Sequence, residues 1–163
     1  MTHNSSSTLR RCGVIAASAI VCMAMAVDVP AQRLTILHTN DTHSHIDPDD
    51  KGLGGILRRK VVIDSVRACD PYVRVIDAGD IVQGTLYFNL YKGEVENKMM
   101  NILGYDIRIL GNHEFDNGSE QLSENLRGSH ATLLSTNYDF SGPLAGMFQR
   151  YCIDTIGEKR VGF

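Results

Sequence analysis

The feature that most constrains this chain is a rhythm. Short apolar runs each stop at a polar cluster, and helix-like segments lie between them. Leu34-Thr35-Ile36-Leu37-His38 runs into Asn40-Asp41-Thr42-His43. Tyr72-Val73-Arg74-Val75-Ile76 drops into Asp77 to Asp80, and Asp106 to Leu110 ends in Gly111-Asn112-His113-Glu114. From Gly55 to Cys69, Ile56, Ile63 and Val66 recur among Arg58, Arg59, Lys60, Asp64 and Arg67, the spacing of a helix with a charged outer face. Asp70-Pro71 ends it. Val95, Met99 and Ile102 fall at i, i+4 and i+7 ahead of Gly104, which predicts a second helix with those residues inward. Ser119 to Arg127 reads as a third helix with Leu122 and Leu126 on one face. Ala131 to Ser135 reads as a fourth strand, and Ser141 to Gly146 as a surface loop. Tyr151 to Ile156 and Arg160 to Phe163 read as a hairpin joined at Gly157-Glu158. This alternation predicts an α/β fold, a mainly parallel sheet with helices covering both faces.

Parallel strands bring their C-terminal ends to one edge of the sheet, where ligand sites form in open α/β folds. The three polar clusters should therefore converge. Asp41 and His43 stand two apart, so in an extended loop end both can point the same way. A carboxylate with an imidazole suits zinc, manganese or iron. Asp80 has two carboxylate oxygens, enough to bridge two ions, and Asn112 offers a neutral carbonyl oxygen. Two metal ions roughly 3.5–4 Å apart can hold a phosphate and generate a hydroxide nucleophile. His113, next to Asn112, is assigned to the substrate, stabilising charge on the phosphoryl group or protonating the leaving oxygen. Asp116 can accept the other ring N–H and fix the tautomer. Taken singly, each cluster has a plainer explanation: Asp-x-His and Gly-Asp are common turns, and Gly-Asn is turn chemistry. It is their recurrence at successive strand ends that argues for a site. His45, Asp47, Asp49 and Asp50 are read as loop residues and His38 as a packed strand residue. His130 is read as exposed. Leu86-Tyr87-Phe88 and Tyr91 are read as packing residues.

Composition narrows the partners. The 163-residue chain is 43% hydrophobic and 21% charged, which fits one modest globular domain. With a net charge of −3 and no long Lys/Arg run, there is no electrostatic case for nucleic acid. The first residues differ. A polar start ending in Arg10-Arg11 leads into an uncharged stretch, Cys12 to Val27, followed by small residues. That is the pattern of a secretory signal, and short of the roughly 20 residues of a membrane span. Residues 1–31 are expected to be a signal peptide removed after Ala31, leaving no stable membrane anchor and an exported, periplasmic or extracellular product. Cys69 and Cys152 then remain, read as two packed thiols, with a disulfide permitted by the compartment.

"LHTNDTHSH", "DAGDIVQGTLYFNLYKG" and "LGNHEFDNG" resemble the first three metal blocks of the calcineurin-like metallophosphoesterases, and more specifically the exported 5'-nucleotidase family. The likeness continues through "STNYDFSG". It implies a four-layer α/β/β/α sandwich, of which residues 32–163 would form the N-terminal half. It also implies two divalent metal ions, zinc, manganese or similar. Residue by residue, it places metal ligands at Asp41, His43, Asp80 and Asn112 and a catalytic pair at His113 and Asp116. The implied reaction is hydrolysis of a nucleotide or other small phosphoester by attack of metal-bound hydroxide. The family's later histidine blocks, one of them Gly-His-x-His, have no counterpart after Asn112, so the chain is expected to be a truncated portion of such a domain. Three other readings stand beside it: an inactive fragment, a weak metal- or phosphate-binding module, or an enzyme acting on 2',3'-cyclic nucleotides or a sulfur ester.

Overall fold

The computed structural model describes residues 33–163. The expected signal segment and its cleavage point lie outside the described residues. The elements run β1 (Thr35–Thr39), α1 (Ile56–Cys69), β2 (Val73–Asp77), α2 (Leu86–Tyr91), α3 (Glu94–Leu103), β3 (Ile107–Arg108), α4 (Gly118–Leu126), β4 (Thr132–Leu133), β5 (Ile153–Ile156) and β6 (Lys159–Gly162). Two short 3-10 turns, His113–Phe115 and Gly142–Leu144, complete them.

β1 to β4 form one parallel sheet in the order β1-β2-β3-β4. The register pairs Thr39 with Asp77, Asp77 with Arg108, and Arg108 with Leu133. These four residues make one row across the sheet, and the chain leaves the sheet just beyond that row on every strand. The separate β5–β6 hairpin is antiparallel.

A sequential parallel order with right-handed crossovers sends every connecting helix to the same face. The core agrees. Ile63 of α1 and Met100 and Leu103 of α3 pack with Val75 of β2, and Leu122 and Leu126 of α4 pack with Leu133 of β4. Among the described residues the other face carries no helix, where coverage of both faces was expected. On that face Arg74 holds Asp154 of the hairpin, and Ile36 stays 47% exposed. Strand content alone carries no record of the face on which a crossover lands.

Local chemistry explains the boundaries. Thr85 caps α2, its hydroxyl accepting from Tyr87 N–H at 3.3 Å. Gly104, in the left-handed region, closes α3 with its N–H on the carbonyls of Met100 and Asn101. Asp70 ties the start of the sheet to the end of α1, accepting from Thr35 Oγ1 at 2.6 Å, Tyr72 N–H at 2.9 Å and Arg33 at 3.0 Å.

Several expectations change. The inward face of α3 is Glu96, Met100 and Leu103, and Ile102 is 60% exposed. A glutamate and an asparagine occupy this stripe, so hydropathy selects its neighbour. Asn97 is buried because its amide has partners there, Arg108 and the carbonyl of Gly93. β3 and β4 are each shortened to two residues. The segment read as a surface loop buries Leu144 in the second core cluster. His38 is exposed, not packed, and so is Cys69. Cys69 and Cys152 are both free thiols. Leu86 and Tyr91 lie on the exposed side of α2, while Phe88 packs on the first core cluster. No described helix is long and apolar enough to cross a membrane.

Candidate metal centre

The loop after β1 keeps pairing with the loop after β2 beyond the last strand residues. Ala78 N–H donates to Thr39 O at 2.8 Å, Asp41 N–H to Gly79 O at 2.9 Å, His43 N–H to Asp80 O at 3.1 Å and Ser44 N–H to Ile81 O at 2.8 Å. The two loops are laced edge to edge, so the side chains they carry are held together. Asp41, His43 and Asp80 each bring a ligating atom within 4.8 Å of the others. Asp41 Oδ1 lies 3.7 Å from His43 Nε2.

All three residues sit at positive φ: 52° for Asp41, 41° for His43 and 55° for Asp80. Side chains other than glycine rarely adopt this region, and each instance costs of order 1–3 kcal/mol, concentrated at functional sites. The extended-loop geometry expected for Asp41 and His43 is replaced by this left-handed one. Close backbone approach explains two glycines. A Cβ on Gly79 would lie 2.3 Å from Gly111 N, and one on Gly111 would lie 2.1 Å from Asp80 Oδ1. The second and third loops therefore touch backbone to backbone.

The third cluster joins through that contact. His113 N–H donates to Asp80 Oδ1 at 2.8 Å. The His113 ring lies edge-on to the His43 ring, with centroids 5.2 Å apart. Its Nδ1 is 2.9 Å from Asp116 Oδ2, which raises the imidazole above its usual pKa, chiefly through that hydrogen bond and against the cost of desolvation. Asn112 is exposed, at the head of the 3-10 turn that carries His113. Glu114, to which sequence reasoning gave no part, is buried. It accepts from the N–H groups of Asp80 at 3.1 Å, Ile81 at 2.8 Å and Gly111 at 2.5 Å. Nothing in its spacing marks it, because its partners are more than thirty residues away or on its own turn.

The supporting row lies beneath. Asp77 has no exposed surface and accepts from Thr39 Oγ1 at 2.6 Å and from Gly79 N–H at 3.0 Å. Thr39 spends its one proton on Asp77, so Tyr105 Oη, 2.7 Å away, donates to Thr39. Burial pushes the Asp77 carboxyl up to about 6, against those hydrogen bonds and the nearby Arg108 guanidinium. His45 stays a loop residue, its Nδ1 3.0 Å from the carbonyl oxygen of Thr42. Asp47 is held by Tyr87 Oη at 2.8 Å.

A donor set of two carboxylates and one imidazole, gathered from two strand ends, fits a divalent ion of the zinc, manganese or iron kind.

Residues 34–158 match the model of the calcineurin-like phosphoesterase family. The chain is 41% identical over 151 residues to the 5'-nucleotidase of Bos taurus, covering 82% of this chain and 26% of that protein. Among solved structures it resembles the 5'-nucleotidase precursor of Thermus thermophilus, with a TM-score of 0.73 and 40% identity over 79% of this chain and 27% of the other. It also resembles the NAD nucleotidase of Haemophilus influenzae, with a TM-score of 0.73 and 32% identity over 79% of this chain and 25% of the other. The chain thus spans about a quarter of the length of the relatives it matches.

Proposed function

The chain belongs to the calcineurin-like phosphoesterase family, and from that premise we propose that it supplies the metal-binding edge of a 5'-nucleotidase-type hydrolase. The substrate class is a nucleotide phosphate monoester. Residues 32–163 are read as an N-terminal portion of the metallophosphoesterase domain, following an export signal at residues 1–31 and acting in a periplasmic or extracellular setting.

Asp41, His43 and Asp80 would hold one divalent ion, and Asp80 with Asn112 would contribute to a second. When bound, such ions polarise the phosphoryl oxygens and supply a nucleophile at neutral pH. The chain's own residues do the rest. His113 faces the same space as His43, so its Nε2 is free to meet a phosphoryl or leaving-group oxygen, since Nδ1 is engaged by Asp116. Asp116 holds the ring in one orientation and favours its protonated form.

The observation that carries this reading is the convergence of Asp41, His43 and Asp80 within 4.8 Å from two strand ends. Its test is calorimetric titration of the chain with Mn2+, comparing wild type with His43→Ala and Asp80→Ala, followed by phosphate release from AMP. Metal binding lost in both variants is the expected result. Binding indifferent to both would overturn the reading. Metal binding without phosphate release would favour the binding-module alternative. Turnover of a 2',3'-cyclic nucleotide or a sulfur ester in place of AMP would move the substrate and keep the centre.

A further inference from the structure

We infer that Glu114 is a positioning residue of this centre, setting how the Asp80 loop meets the Asn112 loop; the inference rests on the metal-centre reading above. Its carboxylate collects three main-chain N–H groups. Two belong to the loop after β2, at Asp80 and Ile81, and one belongs to the loop after β3, at Gly111. Each recipient flanks or is itself a proposed ligand: Asp80 directly, and Gly111 immediately before Asn112. Among the described residues no other side chain accepts from main-chain N–H groups of both loops.

The chemistry needs such a tie. Asp80 sits at positive φ and Gly79 meets Gly111 at a distance no Cβ would tolerate. Backbone held in that region persists only where surrounding contacts over-determine it. A buried carboxylate is suited to the task, because hydrogen bonds from N–H groups to an ionised acceptor are roughly twice as strong as neutral ones. Glu114 is 7% exposed, so water competes little for those donors. The tie is also reciprocal. His113 N–H, one residue before Glu114, donates back to Asp80 Oδ1, so the third loop grips Asp80 by main chain and side chain together.

Glutamine in place of Glu114 keeps size and one acceptor oxygen but turns the other acceptor into a donor facing N–H groups. The first measurement needs no metal: amide hydrogen exchange of the full chain, wild type against Glu114→Gln. Protection should fall selectively at Asp80, Ile81 and Gly111 while the β1–β2 ladder stays protected. Unchanged protection at those three amides overturns the inference, as does a loss spread evenly over the sheet, which would make Glu114 merely structural. The second is Mn2+ titration, where affinity should fall by roughly 10–100-fold, the cost of disturbing groups that orient metal ligands. Equal affinity in the two proteins overturns it. Glu114→Asp, which keeps the charge on a shorter stem, should recover part of both losses. If Glu114→Gln fails to fold, Glu114→Asp is carried through both measurements, and wild-type exchange as fast as free peptide at the three amides is itself decisive against the tie. Wild-type chain that binds no Mn2+ but shows the Glu114-dependent protection counts against the metal centre and leaves the tie standing.

Discussion

The main-chain N–H of His113 donates to Asp80 Oδ1 at 2.8 Å, across 33 residues of sequence. One carboxylate oxygen is thereby oriented by the third loop while the side chain still reaches Asp41 and His43. Asp80→Asn separates the two duties. Asparagine retains an acceptor for His113 N–H but carries no charge for a cation. The expected outcome is a folded chain whose Mn2+ affinity falls more than tenfold, since altering groups one step removed from a metal already costs roughly 10–100-fold. Calorimetric titration with circular dichroism checks both halves. Retained affinity would remove Asp80 from the ligand set.

Gly79→Ala tests the close approach of the loops. Its φ is +96° and its Cβ would lie 2.3 Å from Gly111 N, a backbone atom that cannot swing aside. Overpacking and a misfit backbone each cost about 1–3 kcal/mol, so denaturant unfolding should show a loss of at least about 2 kcal/mol. Gly128→Ala is the control. A Cβ there meets nothing within 4 Å, and the change should stay within about 0.5 kcal/mol of wild type.

Much of this was legible in the sequence, for identifiable reasons. The ends of β1 and β2, α1 and α4 follow from apolar spacing, helped at the end of α1 by Asp70-Pro71, which acts locally. The convergence of Asp41, His43 and Asp80 was readable because the parallel-sheet edge brings separate strand ends together whatever the loop conformation. What failed was through-space. Glu96 and Asn97 turn the buried stripe of α3 by one residue, and only Arg108 and Gly93 explain why the amide of Asn97 can go inside. Glu114 looks like one more loop acid until its three N–H partners are seen. Leu144 is buried by its place in the second core cluster, although Gly142 and Pro143 announce a turn. The positive φ of Asp41, His43 and Asp80 has no composition signal, because these are residue types that glycine-rich rules pass over.

Asp116→Asn should lower the pKa of His113. The Asp116 carboxylate is the main cause of the upward shift, and asparagine can still accept from Nδ1 but brings no charge. In wild type the pair stabilises the fold below the ordinary histidine pKa of about 6.5 and loses that contribution as pH rises through the higher folded value. NMR titration of the His113 ring in metal-free chain reads the change. An imidazole that titrates identically in both proteins would show that Asp116 does not hold it.

Asp77 should also stabilise the fold more at low pH, here through burial of a carboxyl. That carboxyl is wholly buried and takes a proton at about 6, against 3.8 for an ordinary aspartate. At neutral pH the fold therefore carries a buried charge that the unfolded chain would hydrate. As pH falls from about 6 to about 4, folded molecules bind a proton that unfolded ones have not yet taken up, so this group's contribution to stability rises and levels off below that window. Asp77→Asn is neutral at every pH. The stability of wild type relative to the variant should therefore improve by up to about 3 kcal/mol between pH 7 and pH 3.5, since a pKa that differs by one between folded and unfolded chain is worth roughly 1.4 kcal/mol. Urea unfolding at stepped pH measures the difference directly. Arg108 stays charged throughout that range and is common to both proteins, so its burial shifts the absolute stabilities but not the pH trend. A difference that stays flat from pH 7 to pH 3.5 would show that Asp77 titrates like an exposed carboxylate, and that the Thr39 hydroxyl and Gly79 N–H hold it ionised against the full cost of burial.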